Sequence, residues 1–429
     1  MPVSVQKQEE TGVPAHASAG RCPHLGAQYN PFTGPHAEDP HAFFEKLRKD
    51  EPVSFSPMLN MWLVSRYEDI SQVLKSPAQY SNRDMLASGT HLTDEAKAVL
   101  DQGFPTAHVL LGMDPPEHTR LRRLMNRGFT AQRIAGMGPF IQEMATTLVD
   151  RFAQEGQADL VQQLAWPLPV HVILGVMGVP QEDVWKIKRW SSDWQQLVFE
   201  YVAPELQVEM AKGVIEFQQY CIRLIEDRKK NPQEDLTSYL VAVESDGEAL
   251  TMHELVMAVG ASMLSAGHES TTALMANAWK LALQHGLWQR LRDNRDLVPK
   301  FLEESSRYDS VSHAMIRTAK EDVELSGVKI PQGSRLLLLF AAGSRDESLC
   351  PHSSKLDVDR EKVPQHLTYG RGTHFCLGAP LARLQFEITT NILLDRLPDP
   401  KLVPGQDFGT WQSLVLRQMK HLKVEWTPT

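Results

Sequence analysis

The feature that most constrains the fold is a long stretch of helical periodicity. From about residue 115 to 310, apolar residues recur every three or four positions, with short Pro/Gly breaks and few strand signals. Short strand-like runs flank it, VSFSP with MWLVSRY at 53–67 and VELSGVKI with RLLLLFAA at 323–342. A last helix is predicted to start near Ala379, before a strand-rich C-terminus. The pattern therefore predicts a mainly α fold with small peripheral β-sheets.

Length and composition bound the class of protein. The 429 residues exceed the roughly 250–300 that usually form one simple core. Residues 1–28 are polar and dotted with Gly and Pro, so we expect a flexible N-terminal tail before a single large domain over 29–429. The net charge of −9 argues against a general nucleic-acid binder, which would usually be basic.

Nothing in the sequence suggests a membrane or an oxidising compartment. The longest largely apolar stretch, at 255–267, is shorter than the roughly 20 residues that span a bilayer, and the N-terminus lacks the apolar core of a signal peptide. The four cysteines are scattered, which gives no disulfide framework. We therefore expect a soluble, cytoplasmic and monomeric protein that binds neither membrane nor nucleic acid.

One cysteine, Cys376, lies in the unusual loop YGRGTHFCLG at 369–378. Glycine is used where backbone must approach something closely, and Gly370, Gly372 and Gly378 could point N–H groups at the sulfur. A helix starting just after the loop would place its positive end near a thiolate. Two alternatives are an inert core cysteine and a nucleophile, although His374 is poorly placed as its base.

The loop resembles the haem-binding signature of the cytochrome P450 family, Phe-Gly-x-Gly-x-(His/Arg)-x-Cys-x-Gly. Tyr369 replaces the usual Phe, so a hydroxyl must find a partner or water. The resemblance implies a single P450-type domain that binds one haem b per chain. It makes Cys376 the iron ligand, with Tyr369, Gly370, His374 and Gly378 around the cofactor.

The segment MLSAGHESTTALM at 263–275 resembles the distal helix of the same family. The small pair Ala266–Gly267 would let the helix pass close over a flat ligand. Glu269, Ser270 and Thr271 supply an acid and hydroxyls, with Ser270 at the usual Thr position. The resemblance implies that these three catalytic residues deliver protons during oxygen activation, whereas polar residues in helices otherwise often face solvent.

Further segments match the family's haem-propionate anchors. His118 and Arg122 lie four residues apart in MDPPEHTRLRRLMN, and Arg317 lies in AMIRTAKEDVEL. With His374 they would supply several charge-assisted hydrogen bonds to two propionates. A solvated basic face is the alternative for the first segment.

An ion-pair scaffold is implied by EESSR at 303–307. Glu304 and Arg307 lie three apart on one helical face, and such pairs are usually at the surface. In the family, this pair is buried and joined by a later arginine, for which Arg360 is the candidate. We interpret the three as structural support for the Cys376 loop.

The implied reaction is the insertion of one oxygen atom from O₂ into a hydrophobic small molecule, and an axial thiolate favours the required O₂ chemistry. Separate electron donors are expected, a ferredoxin and its reductase. Arg120, Arg123 and Arg127 would form either a docking patch for them or a solvated face. A peroxide-driven enzyme and a non-enzymatic haem sensor are the alternative functions.

Substrate contacts are predicted in several apolar segments, MLASGTHL, FPTAHVLL, WQQLVFEYVA, VSHAM and LVL. Val311 replaces a proline that is usual in this family, which alters the path of one cavity wall. Fatty acids, terpenoids or steroids, polyketides and small aromatics all fit such walls. The individual candidates are Leu86, Val311, Ala314, Met315, Leu414 and Val415.

Overall fold

The computed structural model describes residues 24–86, 92–105, 109–199, 202–245, 247–411 and 413–428. The α-helices are α1 (Pro35–Glu38), α2 (His41–Asp50), α3 (Tyr67–Lys75), α4 (Asp94–Leu100), α5 (Glu117–Asn126), α6 (Ala131–Gly136), α7 (Gly138–Asp150), α8 (Pro167–Met177), α9 (Val184–Phe199), α10 (Pro204–Lys230), α11 (Leu236–Ala242), α12 (Met252–Met257), α13 (Ala266–Gln284), α14 (Trp288–Asp293), α15 (Leu297–Tyr308), α16 (Phe340–Ser344) and α17 (Ala379–Arg396). Two π-helical segments, Val161–Ala165 and Ala258–Ser265, run into α8 and α13.

The strands are short. They are β1 (Val53–Ser56), β2 (Met61–Val64), β3 (Tyr80–Ser81), β4 (Gln157–Asp159), β5 (Glu244–Ser245), β6 (Glu248–Ala249), β7 (Met315–Ala319), β8 (Val323–Leu325), β9 (Val328–Ile330), β10 (Arg335–Leu338), β11 (Lys401–Leu402) and β12 (Lys423–Glu425). The mainly α prediction with small sheets is confirmed, as are the hairpin at 53–67 and the helix at Ala379. The strand-rich C-terminus is wrong, because after α17 the described chain forms only β11 and β12 and otherwise runs as loops.

The ordered chain begins before residue 29, where we placed the start of the domain. Residues 25–28 form a 3₁₀ turn in which Leu25 is buried. The Leu25 N–H donates to Glu51 Oε2 at 2.8 Å, and the Gly26 N–H donates to Ser54 Oγ at 2.9 Å. These bonds fasten the turn to β1, so the fold includes at least part of the segment we assigned to the tail.

A five-stranded sheet with the order β1-β2-β10-β7-β3 forms one edge of the molecule. Only the β2–β10 pair within it is parallel, and the other three pairs are antiparallel. Leu336 of β10 pairs with Arg317 of β7. This register fixes the strand from which Arg317 reaches the interior.

Helix α13 runs through the centre of the fold, with Ala273–Ala282 almost entirely buried. Its Trp279 is fully buried and donates from Nε1 to Thr390 Oγ1 of α17 at 2.9 Å. A helix that is apolar on most sides must be covered on most sides, which α8, α15 and α17 accomplish. The core therefore holds α13, which carries the candidate catalytic residues, against α17, which follows Cys376.

Within the described ranges, no helix combines the length and the apolar character that crossing a membrane requires.

Candidate functional site

A cavity of about 320 Å³ lies inside the fold, between α13, the Cys376 loop and β7. Its walls also include side chains from α8, α9 and α17 and from the C-terminal loop around residue 415. The sequence places these segments hundreds of residues apart, and only the packing around α13 brings them to one space. The cavity is the candidate active site.

The sulfur of Cys376 faces this cavity. It accepts hydrogen bonds from the backbone N–H groups of Gly378 and Ala379, where α17 begins. Enclosure raises the pKa of the Cys376 thiol, while the two N–H groups and the charges of Arg122 and Arg383 oppose that rise. A metal ion bound to the sulfur would add to these opposing effects, because a coordinating thiol is deprotonated.

The loop glycines have different tasks from those we expected. The Gly370 N–H donates to the Leu367 carbonyl at 2.7 Å, so it closes a turn and is not directed at the sulfur. Gly372 has φ +69°, and a Cβ there would lie 2.4 Å from the Leu74 carbonyl oxygen. Gly372 is therefore needed for close contact with α3, and only Gly378 of the three donates to the sulfur.

Four donor side chains gather on one side of the cavity. The rings of His118 and His374 lie 4.0 Å apart, and the charges of Arg122 and Arg317 act on His374. Burial lowers the pKa of His118 to about 4, with Arg122 adding to the effect. Burial, His118 and both arginines lower the pKa of His374 to about 2.

This cluster has unused capacity to bind an anion. Within the described residues, both ring nitrogens of His118 and Nε2 of His374 lack a hydrogen-bond partner although they are buried. Arg317 is buried and donates only to the Ile316 carbonyl, at 2.6 Å, and neither arginine forms an ion pair within the described ranges. Buried cations are normally paired. Beside a thiol, such a donor set fits a haem with its two propionates.

The predicted catalytic residues also lie where the cavity is. Ala266 is exposed to it, and Ser270 and Thr271 line it. The Ser270 hydroxyl donates to the Ala266 carbonyl at 3.3 Å, a long bond that leaves the hydroxyl free to turn. Gly267 serves packing in addition, because a Cβ there would lie 2.9 Å from Ile173 of α8.

Glu269 is held by an ion pair that the sequence did not reveal. Lys188 Nζ of α9 lies 2.5 Å from Glu269 Oε1, and Gln418 Nε2 donates to Oε2 at 3.0 Å. Burial opposes ionisation, yet its partners hold the pKa of Glu269 well below its usual range. Burial lowers the pKa of the adjacent His268 as well, which keeps that ring neutral. We therefore attribute the low pKa of Glu269 to the charge of Lys188. Glu269 is therefore an ionised acceptor in this conformation.

The three scaffold residues meet as a buried cluster. Arg307 donates to both carboxylate oxygens of Glu304 at 2.8 Å, and both side chains are fully buried. Arg360 Nε donates to Glu304 Oε1 at 3.0 Å. Arg307 also binds the carbonyls of Ser344 and Ser353. The cluster fastens residues 353–360, which precede the Cys376 loop along the chain, to α15.

Tyr369 packs against a second ion pair. The Arg383 guanidinium lies 4.3 Å from the centre of the Tyr369 ring and binds Glu303 at 2.7 and 2.9 Å. Within the described part of the chain, the buried Tyr369 hydroxyl has no hydrogen-bond partner. The partner that we expected for this hydroxyl is therefore not supplied by those residues.

The three arginines of the possible docking patch are engaged with neighbouring acids and backbone. Arg120 is paired with Glu254, and Arg123 Nη2 lies 3.2 Å from Glu248 Oε2. Arg127 donates to the Glu244 carbonyl at 3.2 Å. This arrangement reduces the positive charge available to a partner and favours the solvated face.

Of the predicted substrate residues, half line the cavity. Val311, Met315 and Val415 do so. The other three lie elsewhere: Leu86 and Ala314 pack in the core, and Leu414 lines a separate cavity. Consecutive residues of the 3₁₀ turn Arg83–Leu86 and of the C-terminal loop point in different directions, so Met85 and Leu416 line the cavity instead. Residues 87–91, 106–108 and 200–201, within three predicted segments, lie outside the described residues.

Sequence reasoning missed several polar residues around the cavity. Lys188 and Gln418 engage Glu269, and Gln195 and Ser262 line the wall opposite β7. Lys188 follows the buried Val184 and Ile187 at helical spacing on the apolar face of α9, which was the available signal of an unusual burial. Its partner, 81 positions away, could not be inferred from spacing.

Comparison with known proteins agrees with this site. The family model described as Cytochrome P450 matches residues 31–408. The chain therefore belongs to the cytochrome P450 family. Members of that family bind haem, and this chain is an oxidoreductase of the P450 monooxygenase type.

Individual relatives match along almost their whole length. Mycinamicin IV hydroxylase/epoxidase of Micromonospora griseorubida is 36% identical over 405 residues, covering 92% of this chain and 98% of that protein. Nocardicin C N-oxygenase of Nocardia uniformis subsp. tsuyamanensis is 37% identical over 92% of this chain and 98% of that protein. The solved structure of cytochrome P450 CREJ in complex with (4-ethylphenyl) dihydrogen phosphate has a TM-score of 0.88 and 30% identity, covering 94% of this chain and all of that one.

Proposed function

We propose that this chain oxygenates a hydrophobic small molecule, with one haem b held by Cys376. The observation that carries the proposal is the sulfur that faces the cavity and accepts two N–H groups at the start of α17. A bound haem would supply the activation of O₂, and a cysteine thiolate ligand would promote that chemistry. The roles that follow are those of the chain's own residues.

The propionates are assigned to the cluster of His118, Arg122, Arg317 and His374. Each arginine is a cation without an ion pair among the described residues, and the histidines offer buried nitrogens without partners. Neutral imidazoles can donate one N–H each, and guanidinium groups can bind carboxylates by charge-assisted hydrogen bonds. Holding the propionates here would orient the cofactor against Cys376.

Proton delivery is assigned to Ser270 and Thr271, with Glu269 as a positioning residue in this conformation. The Thr271 hydroxyl forms no hydrogen bond with the described residues and lines the cavity. Glu269 is ionised by its pairing with Lys188. Its carboxylate therefore attracts and orders a hydrogen-bond donor and does not itself carry a proton. Separation of Lys188 from Glu269 would raise the carboxyl pKa and let it take up protons.

Electrons are assigned to separate proteins, a ferredoxin and its reductase. The support is that the mycinamicin hydroxylase/epoxidase is matched over 98% of its residues, which leaves no room in that relative for a reductase domain. The comparison of a ferredoxin system with hydrogen peroxide as the oxidant tests this assignment. Faster turnover with peroxide than with the complete electron-transfer system would favour the peroxide-driven alternative.

The substrate is assigned to the apolar class because the walls away from Cys376 are mostly aliphatic. Met85, Ile173, Met263, Met315 and Val415 contribute side chains there. Apolar surface removed from water on binding contributes roughly 25 cal/mol of favourable free energy per Å². This assignment covers many chemistries, from fatty acids to polyketides.

The test of the proposed ligand is the spectrum of the reduced protein with carbon monoxide. We expect an absorption band at about 450 nm, which reports a thiolate ligand. Cys376→Ala should abolish it, whereas the matched controls Cys221→Ala and Cys350→Ala should retain it, because Cys221 is buried away from the cavity and Cys350 does not line it. A 450 nm band in Cys376→Ala would refute the ligand assignment.

A further inference from the structure

The charged side chains that line the cavity are unevenly distributed. Arg122, Arg317 and Arg371 belong to the side of the Cys376 loop. On the opposite side, the only charged lining residue among those described is Glu269, and Lys188 neutralises it. A charged substrate group placed there would lose its hydration without gaining a counter-ion, which is costly. The wall therefore favours an uncharged substrate.

Gln195 of α9 presents an oriented hydrogen-bond acceptor in that wall. Its Nε2 donates to the carbonyl oxygen and to Oγ of Ser265, both at 3.2 Å. Because a carbonyl can only accept, this contact fixes which end of the amide is nitrogen. The Oε1 atom accepts no hydrogen bond from the described residues, and Gln195 lines the cavity.

Ser262 supplies a second polar group nearby. It lies in the π-helical segment Ala258–Ser265, about one turn before the cavity-lining Ala266, and it also lines the cavity. Its hydroxyl forms no hydrogen bond within the described ranges. The Gln195–Ser265 bonds hold α9 against the same segment, so Gln195 and Ser262 belong to one part of the wall.

We infer that Gln195 and Ser262 select a neutral, apolar substrate that carries a hydroxyl group. The hydroxyl would donate to Gln195 Oε1 and accept from Ser262, which satisfies two donors and two acceptors in an apolar space. An amine would be cationic at neutral pH and would find no free carboxylate there. The inference rests on the proposed function, and it adds a substrate class and two specificity residues to it.

The experiment compares three ring compounds of similar size: cyclododecanol, cyclododecanone and cyclododecane. Their dissociation constants for the haem-loaded protein are measured from the blue shift of the Soret band and, independently, by calorimetry. One neutral hydrogen bond corresponds to about a threefold to tenfold change in affinity, so the alcohol, which can form two, should bind more tightly than the ketone by about that factor and more tightly still than the alkane. The ketone cannot donate to Gln195 and should lie between them.

Variants assign the preference to residues. Gln195→Met should reduce the alcohol-over-alkane ratio to about the ketone-over-alkane ratio, because Ser262 still donates to both oxygens, and should leave the ketone and alkane constants within about twofold. Ser262→Ala should reduce the ratio less, because the substrate hydroxyl keeps its acceptor. Ser312→Ala, which removes another cavity-lining hydroxyl, is the control and should leave the ratio unchanged.

Three results would overturn the inference. They are an alcohol preference that survives in the Gln195→Met/Ser262→Ala double variant, a preference that is lost only in Ser312→Ala, and the absence of binding by all three compounds. The carbon monoxide band separates these results from failure of the proposed function, because it depends on Cys376 and not on the wall. Retention of alkane affinity in each variant shows that the cavity is intact.

Discussion

Removal of the buried guanidinium of Arg307 should destabilise the fold severely. The side chain makes two hydrogen bonds to Glu304 and three to the carbonyls of Ser344, Ser353 and Lys355, at 2.6 to 3.2 Å. Arg307→Met would fill much of the same volume but would leave three carbonyl oxygens and a carboxylate without this donor. The cost is mainly that of the groups left behind, since a buried ion pair itself contributes little net stability.

The magnitude follows from what remains around Glu304. Breaking a buried pair by removing one partner costs about 3–5 kcal/mol. Glu304 keeps the Arg360 Nε at 3.0 Å and the Asp357 N–H at 2.9 Å, so its charge is not fully unpaired. We therefore expect a loss near the lower end, about 3 kcal/mol. That is a large part of a typical total stability of about 5–15 kcal/mol.

Urea unfolding of the haem-loaded protein, followed by far-UV circular dichroism, measures this loss. The control is Arg290→Met, which breaks an ion pair with Asp359 whose side chains are 44% and 65% exposed. Exposed pairs contribute about 0–1 kcal/mol, so the control should unfold near the wild-type midpoint. A loss below 1 kcal/mol in Arg307→Met, or one equal to the control, would refute the argument from buried, unsatisfied groups.

Three further outcomes are expected. The Arg122→Ala/Arg317→Ala variant should lose haem on gel filtration, because an unpaired buried propionate costs about 1–3 kcal/mol per lost partner; full haem occupancy would contradict the assignment. Ser270→Ala/Thr271→Ala should form less product per NAD(P)H and release more peroxide, with unchanged substrate affinity; unchanged coupling would mean that water alone supplies the protons. Burial, aided by nearby cations, lowers the pKa of His313 to about 3. Stability from its neutral form is complete above the unfolded pKa of about 6.5 and is lost as pH falls, by up to about 2 kcal/mol at pH 5, so His313→Asn should flatten the decline in urea midpoint between pH 7 and 5.

Much of the fold could be predicted from local sequence patterns. Strands β1 and β2 form the hairpin expected at 53–67, and α17 begins at the expected Ala379. These elements follow from apolar spacing within one segment, which a chain shows before it folds. The Cys376 loop could be recognised in the sequence for a similar reason, because glycines and a cysteine in fixed order specify a local conformation.

The residues that line the cavity could not be predicted from the sequence in the same way. Met85 and Leu416 line the cavity where we expected Leu86 and Leu414, since a single 3₁₀ turn and a loop are too short or too irregular for apolar spacing to assign each side chain to a face. The prediction that Gly370 donates to the sulfur failed because the Leu367 carbonyl claims its N–H. Such choices depend on which neighbour is nearest after folding.

The sequence by itself determined a mainly helical chain, a cysteine at a helix start and a set of scattered basic residues suited to one cofactor. Only the tertiary structure decided that Lys188 ionises Glu269 and that Ser265 orients the amide of the cavity-lining Gln195. The physical reason is the separation along the chain over which each kind of interaction acts. Helical periodicity and turn chemistry act between residues a few positions apart, whereas the charge and hydrogen bonding of a buried side chain are set by partners that packing brings from 70 to 150 positions away.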